Sequence, residues 1–413
     1  MVIINTIISI CTAYVVIFKS PFSLRITALF MFSAVMAYQL AVVARSYMLL
    51  VLLLFAIAWL YTQRHKMPLR YAALVALLGN TEVMVAIPCA ILTGLFFMEA
   101  RKVTDPAARK THIRALGIMA FGGVVALVSV WPHAGSNEYV GQLNYFNTAF
   151  IIKVTDFMIP WAHFIENPWA PNAFSQWFRD HHIISALPGI TVLLLTSLLI
   201  KKSPLQLLHL GWIAGLYFIY TFKYFGQFYH GELMLVYTFF MVWLWRQENP
   251  GEIRDNRQLK ALSLLSWILT ASLSVSVVGM VNEYHTEYKT PFSGSKDMAS
   301  YIKENGYDRK TIAFMGCYSL TSVAAYLPET DFWFVGEDKH ARYMVWSKVW
   351  DECQHQPFSN QMERLVQQYN YNTVIVSEQQ LPTEFMPLKL LHYSPGRMIF
   401  ESFWLYKRDD GHP

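Results

Sequence analysis

Residues 71 to 97 read YAALVALLGNTEVMVAIPCAILTGLFF, an apolar run interrupted at its middle by Asn80, Thr81 and Glu82. The segments on its two sides, 64 to 70 and 101 to 114, are both strongly basic. Because basic loops are retained on the cytoplasmic side of a membrane, both ends of the run are expected on that side. The run must then enter the membrane and return. This predicts a hairpin of two short helices that turns at Asn80 to Glu82.

The rest of the chain has the composition of a polytopic membrane protein. Of its 413 residues, 54% are hydrophobic and only 15% are charged. A helix needs roughly 20 apolar residues to cross a bilayer, and eight further apolar runs approach or reach that length. They cover residues 2–17, 26–43, 46–62, 115–131, 183–200, 205–221, 228–245 and 261–281. With the hairpin counted as two, we predict about ten membrane passes within residues 1–281.

The distribution of basic residues predicts the orientation. Residues 1–281 hold 20 Lys and Arg, and 16 of them fall in the loops on one side. The other side receives Arg45, Lys153, Arg179 and Lys223, although it includes the long loop 132–182. By the positive-inside rule, that loop and the tail 282–413 lie outside the cytoplasm of a bacterial inner membrane. A basic excess confined to short loops reads as a topology signal, so we expect no nucleic-acid partner.

The tail 282–413 has the pattern of a soluble α/β domain. Short apolar strands are predicted at 311–315, 373–376 and 399–406, and helices at 295–305, closed by Gly306, and at 361–369. No glycine-rich loop joins a strand to a helix, which argues against a nucleotide site. Cys317 and Cys353 both fall in this domain, where they either pair in an oxidising compartment or remain two thiols.

The external loop 132–182 is rich in tryptophan and histidine, and residues 143–165 have the pattern of an interfacial helix. It forms either an aromatic belt at the headgroup level or a lid over a lipid-facing cavity. Four acids in it are candidates for catalysis, although most acids in such a loop are simply solvated: Glu138, Asp156, Glu166 and Asp180. No metal-binding or cofactor motif is present, so neither a metal nor a cofactor is predicted.

Ionisable and polar groups at membrane depth are costly, which makes each one a functional candidate. Six are assigned to substrate binding: Arg45, Tyr47, Asn80, Glu82, Lys223 and His230. Each also has a structural interpretation. An arginine can anchor a helix at the interface, Asn80 can cap a turn, and Lys223 and His230 can belong to a turn between two spans. The catalytic residue itself is not identified.

Four motifs resemble bacterial multi-pass glycosyltransferases of the GT-C class, relatives of protein mannosyltransferases and the aminoarabinose transferase. They are Ala44-Arg45-Ser46-Tyr47 before a leucine-rich helix, Leu77-Leu78-Gly79-Asn80-Thr81, residues 224–231, and residues 291–296 continuing to 304–306. The resemblance extends over most of the chain, but each motif is short. It implies transfer of a sugar from a polyprenyl-phosphate carrier to an extracytoplasmic acceptor.

In that family the catalytic acid lies in the first external loop, between the first two helices, and the resemblance implies that this chain begins after that point. The charge pattern also places Met1 outside the cytoplasm, so either the first helix inserts by itself in this unusual sense or an odd number of crossings lies upstream. The chain is then either a truncated member or one whose first loop lies on a partner polypeptide. Besides the lipid-linked sugar and membrane lipids, such a chain is an expected partner. The alternative is a non-catalytic scaffold or a transporter in envelope polysaccharide assembly.

Overall fold

The computed structural model describes residues 2–41, 46–131, 154, 181–201, 203–222, 228–251, 255–343, 347–369, 373–382, 387–398 and 400–409. The protein is mostly helical, with a sheet region near its C-terminus. The described residues fall into two compact units, which divide between Tyr284 and His285. The predicted external loop 132–182 lies almost entirely outside the described residues, and so do its four acids.

The first unit is built from helices. They are α1 (Val2–Lys19), α2 (Leu24–Met31), a π-helix (Ala34–Leu40), α3 (Tyr47–Leu60), α4 (Pro68–Gly79), α5 (Ala86–Ala100), α6 (Pro106–Ser129), α7 (His182–Leu199), α8 (Leu205–Phe222), α9 (Phe228–Glu248) and α10 (Asn256–Lys289). Short 3₁₀ turns, Tyr61–Gln63 and Val83–Val85, follow α3 and precede α5. One continuous apolar core joins these helices.

The hairpin predicted around Asn80 is present as two antiparallel helices. The chain leaves α4 at Gly79 and enters α5 after the turn. Arg64, just before α4, binds Glu99, near the end of α5, through two bonds of 2.7 and 2.9 Å. The end of α5 therefore lies beside the start of α4, with the turn at the opposite end.

Helix α6 packs closely along α4. A Cβ added to Gly122 would lie 2.5 Å from the Cβ of Ala76, so only glycine permits this approach. At the same level the Asn80 amide donates to the Gly122 carbonyl oxygen at 3.0 Å. The other end is joined by His65 and His112, whose ring nitrogens are 3.2 Å apart. Helices α4 and α6 therefore run in the same direction.

The apolar run 26–43 does not form the single helix that its composition predicts. Helix α2 ends at Met31, and the π-helix starts after Ser33. The Ser33 hydroxyl donates to the Phe30 carbonyl oxygen at 2.7 Å and accepts the Met36 amide at 3.3 Å. The Ala34 amide donates to the Ser276 hydroxyl of α10 at 3.0 Å. A serine thus restarts the helix inside an apolar stretch, which hydropathy does not reveal.

Among the described residues, three helical segments are long and apolar enough to cross a membrane: Val83–Ala100, Pro106–Ser129 and Asn256–Lys289. Six further apolar helical segments are shorter than 18 residues. These helices indicate membrane association.

The second unit is a six-stranded sheet with helices on both faces. Its strands are β1 (Thr311–Met315), β2 (Phe332–Phe334), β3 (Lys339–His340), β4 (Thr373–Ser377), β5 (Leu388–Ser394) and β6 (Phe403–Arg408), in the order β3-β2-β1-β4-β6-β5. Strands β2, β1 and β4 are parallel, and the other neighbours are antiparallel. The helices are α11 (Ser295–Glu304), α12 (Leu320–Ala324), α13 (Lys348–His355) and α14 (Phe358–Gln368).

Alternating residues of the parallel strands supply two separate apolar cores. Ile312 and Phe314 face the core that contains Met298 of α11, whereas Ala313 and Met315 face the core that contains Met362 of α14. Period-two alternation between buried faces is expected of a parallel sheet covered by helices on both sides. The predicted α/β character of the tail is therefore correct.

The last predicted strand, 399–406, starts too early. Before β6 the chain turns, with the Ser402 hydroxyl bonded to the amide and carbonyl of Gly396 at 2.9 and 3.0 Å. The strand begins only at Phe403 and continues to Arg408. Of the two alternatives for the tail cysteines, the structure has the pair: Cys317 and Cys353 form a disulfide.

Candidate functional site

The first turn of α3 presents Ser46 to the apex of the hairpin. Ser46 stands at the N-cap position of α3 but makes no side-chain capping bond. Its hydroxyl instead donates to Glu82 Oε1 at 2.9 Å. Glu82 is itself half-buried and has extended backbone just before the turn Val83–Val85. The hairpin apex is thereby attached to the start of α3 through a carboxylate.

The next residue, Tyr47, reaches a third segment of the chain. Its hydroxyl is 3.0 Å from Nε2 of His230, which lies in the first turn of α9. The two rings meet edge to face, with centroids 5.8 Å apart. Tyr47 is 5% exposed and His230 4% exposed, so the bond is shielded from solvent. Buried polar groups at this depth are expected to be hydrogen-bonded, and this pair meets that requirement.

Tyr220 adds the end of α8 to the same place. Its hydroxyl is 3.2 Å from the His230 carbonyl oxygen and 3.3 Å from the sulfur of Met84, in the turn after Glu82. The start of α3, the hairpin apex, the end of α8 and the start of α9 therefore meet at one polar cluster. We call Ser46, Tyr47, Glu82, Tyr220 and His230 the apex cluster.

A small cavity lies beside His230. Leu50, Met84, Trp212 and Tyr237 are among the side chains that line it, and its volume is about 10 Å³. A space of this size holds about one water molecule. The Trp212 indole stacks on Tyr237 at a centroid distance of 3.6 Å. Its Nε1–H is buried and finds no hydrogen-bond acceptor in the described part of the chain, which suits a polar guest in the cavity.

The six predicted binding residues separate into three groups. Tyr47, Glu82 and His230 belong to the apex cluster. Asn80 lies at the hairpin turn, but its amide nitrogen donates to the Ala76 and Gly122 carbonyl oxygens at 2.8 and 3.0 Å, so it holds α4 against α6. Arg45 and Lys223 lie outside the described residues, although Arg45 directly precedes Ser46 in the sequence.

Ser46 and Tyr220 were not among the predicted site residues. Ser46 stands within the motif that contains Arg45 and Tyr47, but a serine next to an arginine does not by itself predict a binding role. Tyr220 lies in an apolar run, where a tyrosine is an ordinary interfacial residue. Their partners come from packing: the start of α3 against the hairpin apex brings Ser46 to Glu82, and the end of α8 against the same apex brings Tyr220 to Met84.

The second unit contains a separate polar centre at the carboxyl ends of β1 and β4. Glu378 directly follows β4, and its carboxylate accepts the backbone amides of Cys317 at 3.1 Å, Tyr318 at 2.9 Å and Ser319. Those amides precede α12. Strand β1 has β2 on one side and β4 on the other, so the strand order reverses beside it. Open α/β sheets bind ligands in the crevice at the carboxyl ends of the strands at such a point. Here the chain's own carboxylate occupies it.

A second acid lies close to Glu378. Glu401 accepts the hydroxyls of Ser293 at 2.5 Å and Ser322 at 3.1 Å. Burial raises the pKa of Glu378 to about 8, although its three amide donors act in the opposite direction and the charge of Glu401 adds to the rise. Burial also raises the pKa of Glu401. The sequence signal for this centre is a glutamate directly after a buried strand, and it was not among the predicted site residues.

Comparisons with protein families, with curated proteins and with solved structures find no match to this chain. The chemistry of the apex cluster follows from its groups. A tyrosine hydroxyl and an imidazole can donate hydrogen bonds to an anionic oxygen, and a carboxylate can accept one from a hydroxyl group. The cluster therefore brings together groups that can bind a phosphate and a group that can bind an alcohol.

Proposed function

We propose that this protein is a multi-pass membrane glycosyltransferase of the GT-C kind, which binds a polyprenyl-phosphate sugar at the apex cluster. One observation carries the proposal. Three segments that supplied predicted binding residues, around positions 45–47, 80–82 and 223–230, lie far apart along the chain. The adjacent residues Ser46 and Tyr47 join them through bonds to Glu82 and His230. Residues that only stabilise their own turns are not expected to form hydrogen bonds with one another across three segments.

Each member of the cluster has a role in this proposal. Tyr47 and His230 donate to the phosphate of the carrier, together with Arg45 and Lys223, which the sequence assigns to the same task. Glu82 accepts a hydrogen bond from the acceptor hydroxyl. In an inverting transfer that hydroxyl oxygen bonds to the anomeric carbon, the bond to the phosphate oxygen breaks, and the hydroxyl proton passes to a carboxylate. We assign that proton to Glu82 or to an acid supplied by a partner chain.

The proposal includes the predicted membrane arrangement: about ten passes, with the second unit outside the cytoplasm of a bacterium. The Cys317–Cys353 disulfide supports this orientation, because disulfides persist in the periplasm and are rare in the cytosol. Fusion of alkaline phosphatase after residue 409 is expected to give an active enzyme. An inactive phosphatase there, with an active cytoplasmic reporter at the same position, would reverse the orientation.

The proposed site is tested by binding to the purified full-length protein in detergent. A decaprenyl phosphate that carries a photoreactive group is expected to label peptides containing Ser46 or His230. Arg45→Lys keeps an anchoring charge but loses the two-point contact with phosphate. We expect it to weaken binding roughly tenfold, in line with a lost charge-assisted bond of about 1.5 to 3 kcal/mol. Arg101→Lys, at the basic end of α5, is the control and should bind normally.

The burial of the Tyr47–His230 bond favours a second candidate function, that of a non-catalytic scaffold. The adjoining cavity has room for about one water molecule, so a donor phosphate must open the pair to reach His230. A scaffold would keep it closed. Unlabelled peptides at the apex cluster, together with unchanged decaprenyl phosphate affinity in Arg45→Lys, would favour the scaffold and reject the donor site.

A further inference from the structure

A groove in the described part of the first unit lies far from the apex cluster. It has a volume of about 210 Å³ and is bounded by the start of α2, the end of α9 and the first half of α10. Its charged residue, Arg246, is 16 positions after His230 on the same helix, which corresponds to about 24 Å along α9. The groove is therefore separate from the proposed donor site.

The walls of the groove have the composition of a hydrocarbon-binding surface. On α9, Phe239 and Val242 line it at helical spacing, and on α10, Leu262, Leu265 and Leu269 do the same. Positions 262 to 269 extend about 10 Å along α10. Phe22 stands edge to face against Phe239 with ring centroids 5.0 Å apart, and contributes a further apolar wall.

Arg246 supplies a positive charge to the groove at the C-terminal end of α9. It stands in the last turn of α9, and its guanidinium carbon lies 5.3 Å from the centre of the Trp245 ring. No carboxylate in the described ranges forms an ion pair with it, whereas Arg64 is held by Glu99 through two bonds. The hydroxyl-bearing residues Ser23 and Ser266 also line the groove. An anion bound here would therefore find donors that other side chains do not occupy.

The surface around the groove favours a lipid over a water-soluble anion. On α10, Trp267 is 73% exposed and Leu264 is 48% exposed, one turn or less from groove residues. Large exposed apolar side chains beside an apolar groove are typical of a lipid-facing surface. The arginine begins the segment 246–260, which holds four Lys and Arg against three Asp and Glu. The predicted topology puts this segment on the cytoplasmic side, where anionic headgroups attract basic side chains.

We propose that this groove binds one acyl chain of an anionic phospholipid, with the lipid phosphate held by Arg246. The planar guanidinium contacts two phosphate oxygens, and the chain follows α10 from Leu262 towards Leu269. The lipid belongs to the leaflet on the basic side of the protein. This site is independent of sugar transfer, because none of its residues belongs to the apex cluster.

The test measures lipid retention by native mass spectrometry on the full-length protein purified in detergent. Phosphatidylglycerol and phosphatidylcholine with identical acyl chains are added at equal concentration. The wild type is expected to retain at least threefold more phosphatidylglycerol. Arg246→Gln should lower that retention to the phosphatidylcholine level. Ser266→Phe, which fills the groove and keeps the arginine, should lower the retention of both lipids.

The matched control is Arg101→Gln. Arg101 stands at the end of a helix, as Arg246 does, and lies 5.7 Å from an aromatic ring, Phe97, but it does not line the groove. It should retain both lipids as the wild type does. Equal retention of phosphatidylglycerol by the wild type and Arg246→Gln would overturn the proposal. The proposal would also be overturned if glycerol phosphate raised the melting temperature of the wild type as much as phosphatidylglycerol does. That result would show that Arg246 binds a soluble anion.

Discussion

Arg64 and Glu99 form a two-point ion pair that closes the base of the α4–α5 hairpin. The Arg64 Nη2 and Nε atoms lie 2.7 and 2.9 Å from the two carboxylate oxygens, and the guanidinium also stacks 4.0 Å from the centre of the Tyr61 ring. Their side chains are 15% and 30% exposed, so solvent screens the pair only in part. The ion pair fixes one end of the hairpin, and the Ser46–Glu82 bond fixes the other.

Glu99→Gln should destabilise the first unit by about 1 to 3 kcal/mol, because it leaves a half-buried guanidinium without its carboxylate. Thermal unfolding of the full-length protein in detergent measures the effect. Glu248→Gln is the control, since Glu248 is an acid at a helix end whose partners among the described residues are hydroxyls, those of Ser203 and Tyr61. Equal melting temperatures for Glu99→Gln and the wild type would show that the ion pair does not hold the hairpin.

The Tyr47–His230 bond predicts energetic coupling between two distant segments. Tyr47→Phe and His230→Gln should each destabilise the protein, and the double variant should lose less than the sum by about 0.5 to 1.5 kcal/mol. Chemical unfolding of the four proteins measures this difference. Tyr284→Phe is the control partner, because its hydroxyl binds the Ala37 carbonyl oxygen at 2.9 Å. It should be additive with His230→Gln. Additivity for both pairs would mean that the Tyr47–His230 bond contributes nothing.

The hairpin and two of the tail strands, β1 and β4, could be predicted because their signals are local. Asn80 to Glu82 interrupts an apolar run between two basic loops, and β1 is a short apolar segment after a glycine-closed helix. The break at Ser33 could not be predicted, because a single serine restarts a helix without lowering the hydropathy of the run. The pairing of Tyr47 with His230 depends on packing between segments 183 positions apart. Spacing along the chain carries no information about that packing.

The Cys317–Cys353 disulfide predicts both stability and location. It closes a loop across 36 positions, so its removal should cost about 3 to 4 kcal/mol in the second unit. The paired change to serine, measured by proteolysis of the tail in the intact protein under increasing urea, gives this value. The control is Cys11→Ser, which removes an exposed free thiol. Protein isolated from bacteria with both tail thiols reactive to maleimide would contradict the extracytoplasmic assignment.

Glu378 predicts that the second unit loses stability as the pH rises. Its folded-state pKa of about 8 lies above the ordinary value of 4.5, chiefly because of burial. Between those values the folded form holds a proton that the unfolded form has released. The free energy of unfolding must therefore decrease from about pH 5 to about pH 8, by up to about 1.4 kcal/mol for each pH unit. Below pH 4.5 both forms are protonated at this site, and its contribution becomes constant.

The pH dependence separates two opposing influences on this carboxylate. Burial favours the protonated acid, whereas three backbone amides favour the ionised form. Proteolysis of the tail in urea, repeated from pH 5 to pH 8 on the intact protein, should show stability falling in the wild type and a flatter profile in Glu378→Gln. Glu363→Gln, an exposed acid on α14, should keep the wild-type slope. If stability were instead constant or rising over this range in the wild type, the amides would hold Glu378 ionised. The crevice between β1 and β4 would then carry a permanent negative charge, which would repel any anionic ligand from that edge of the sheet.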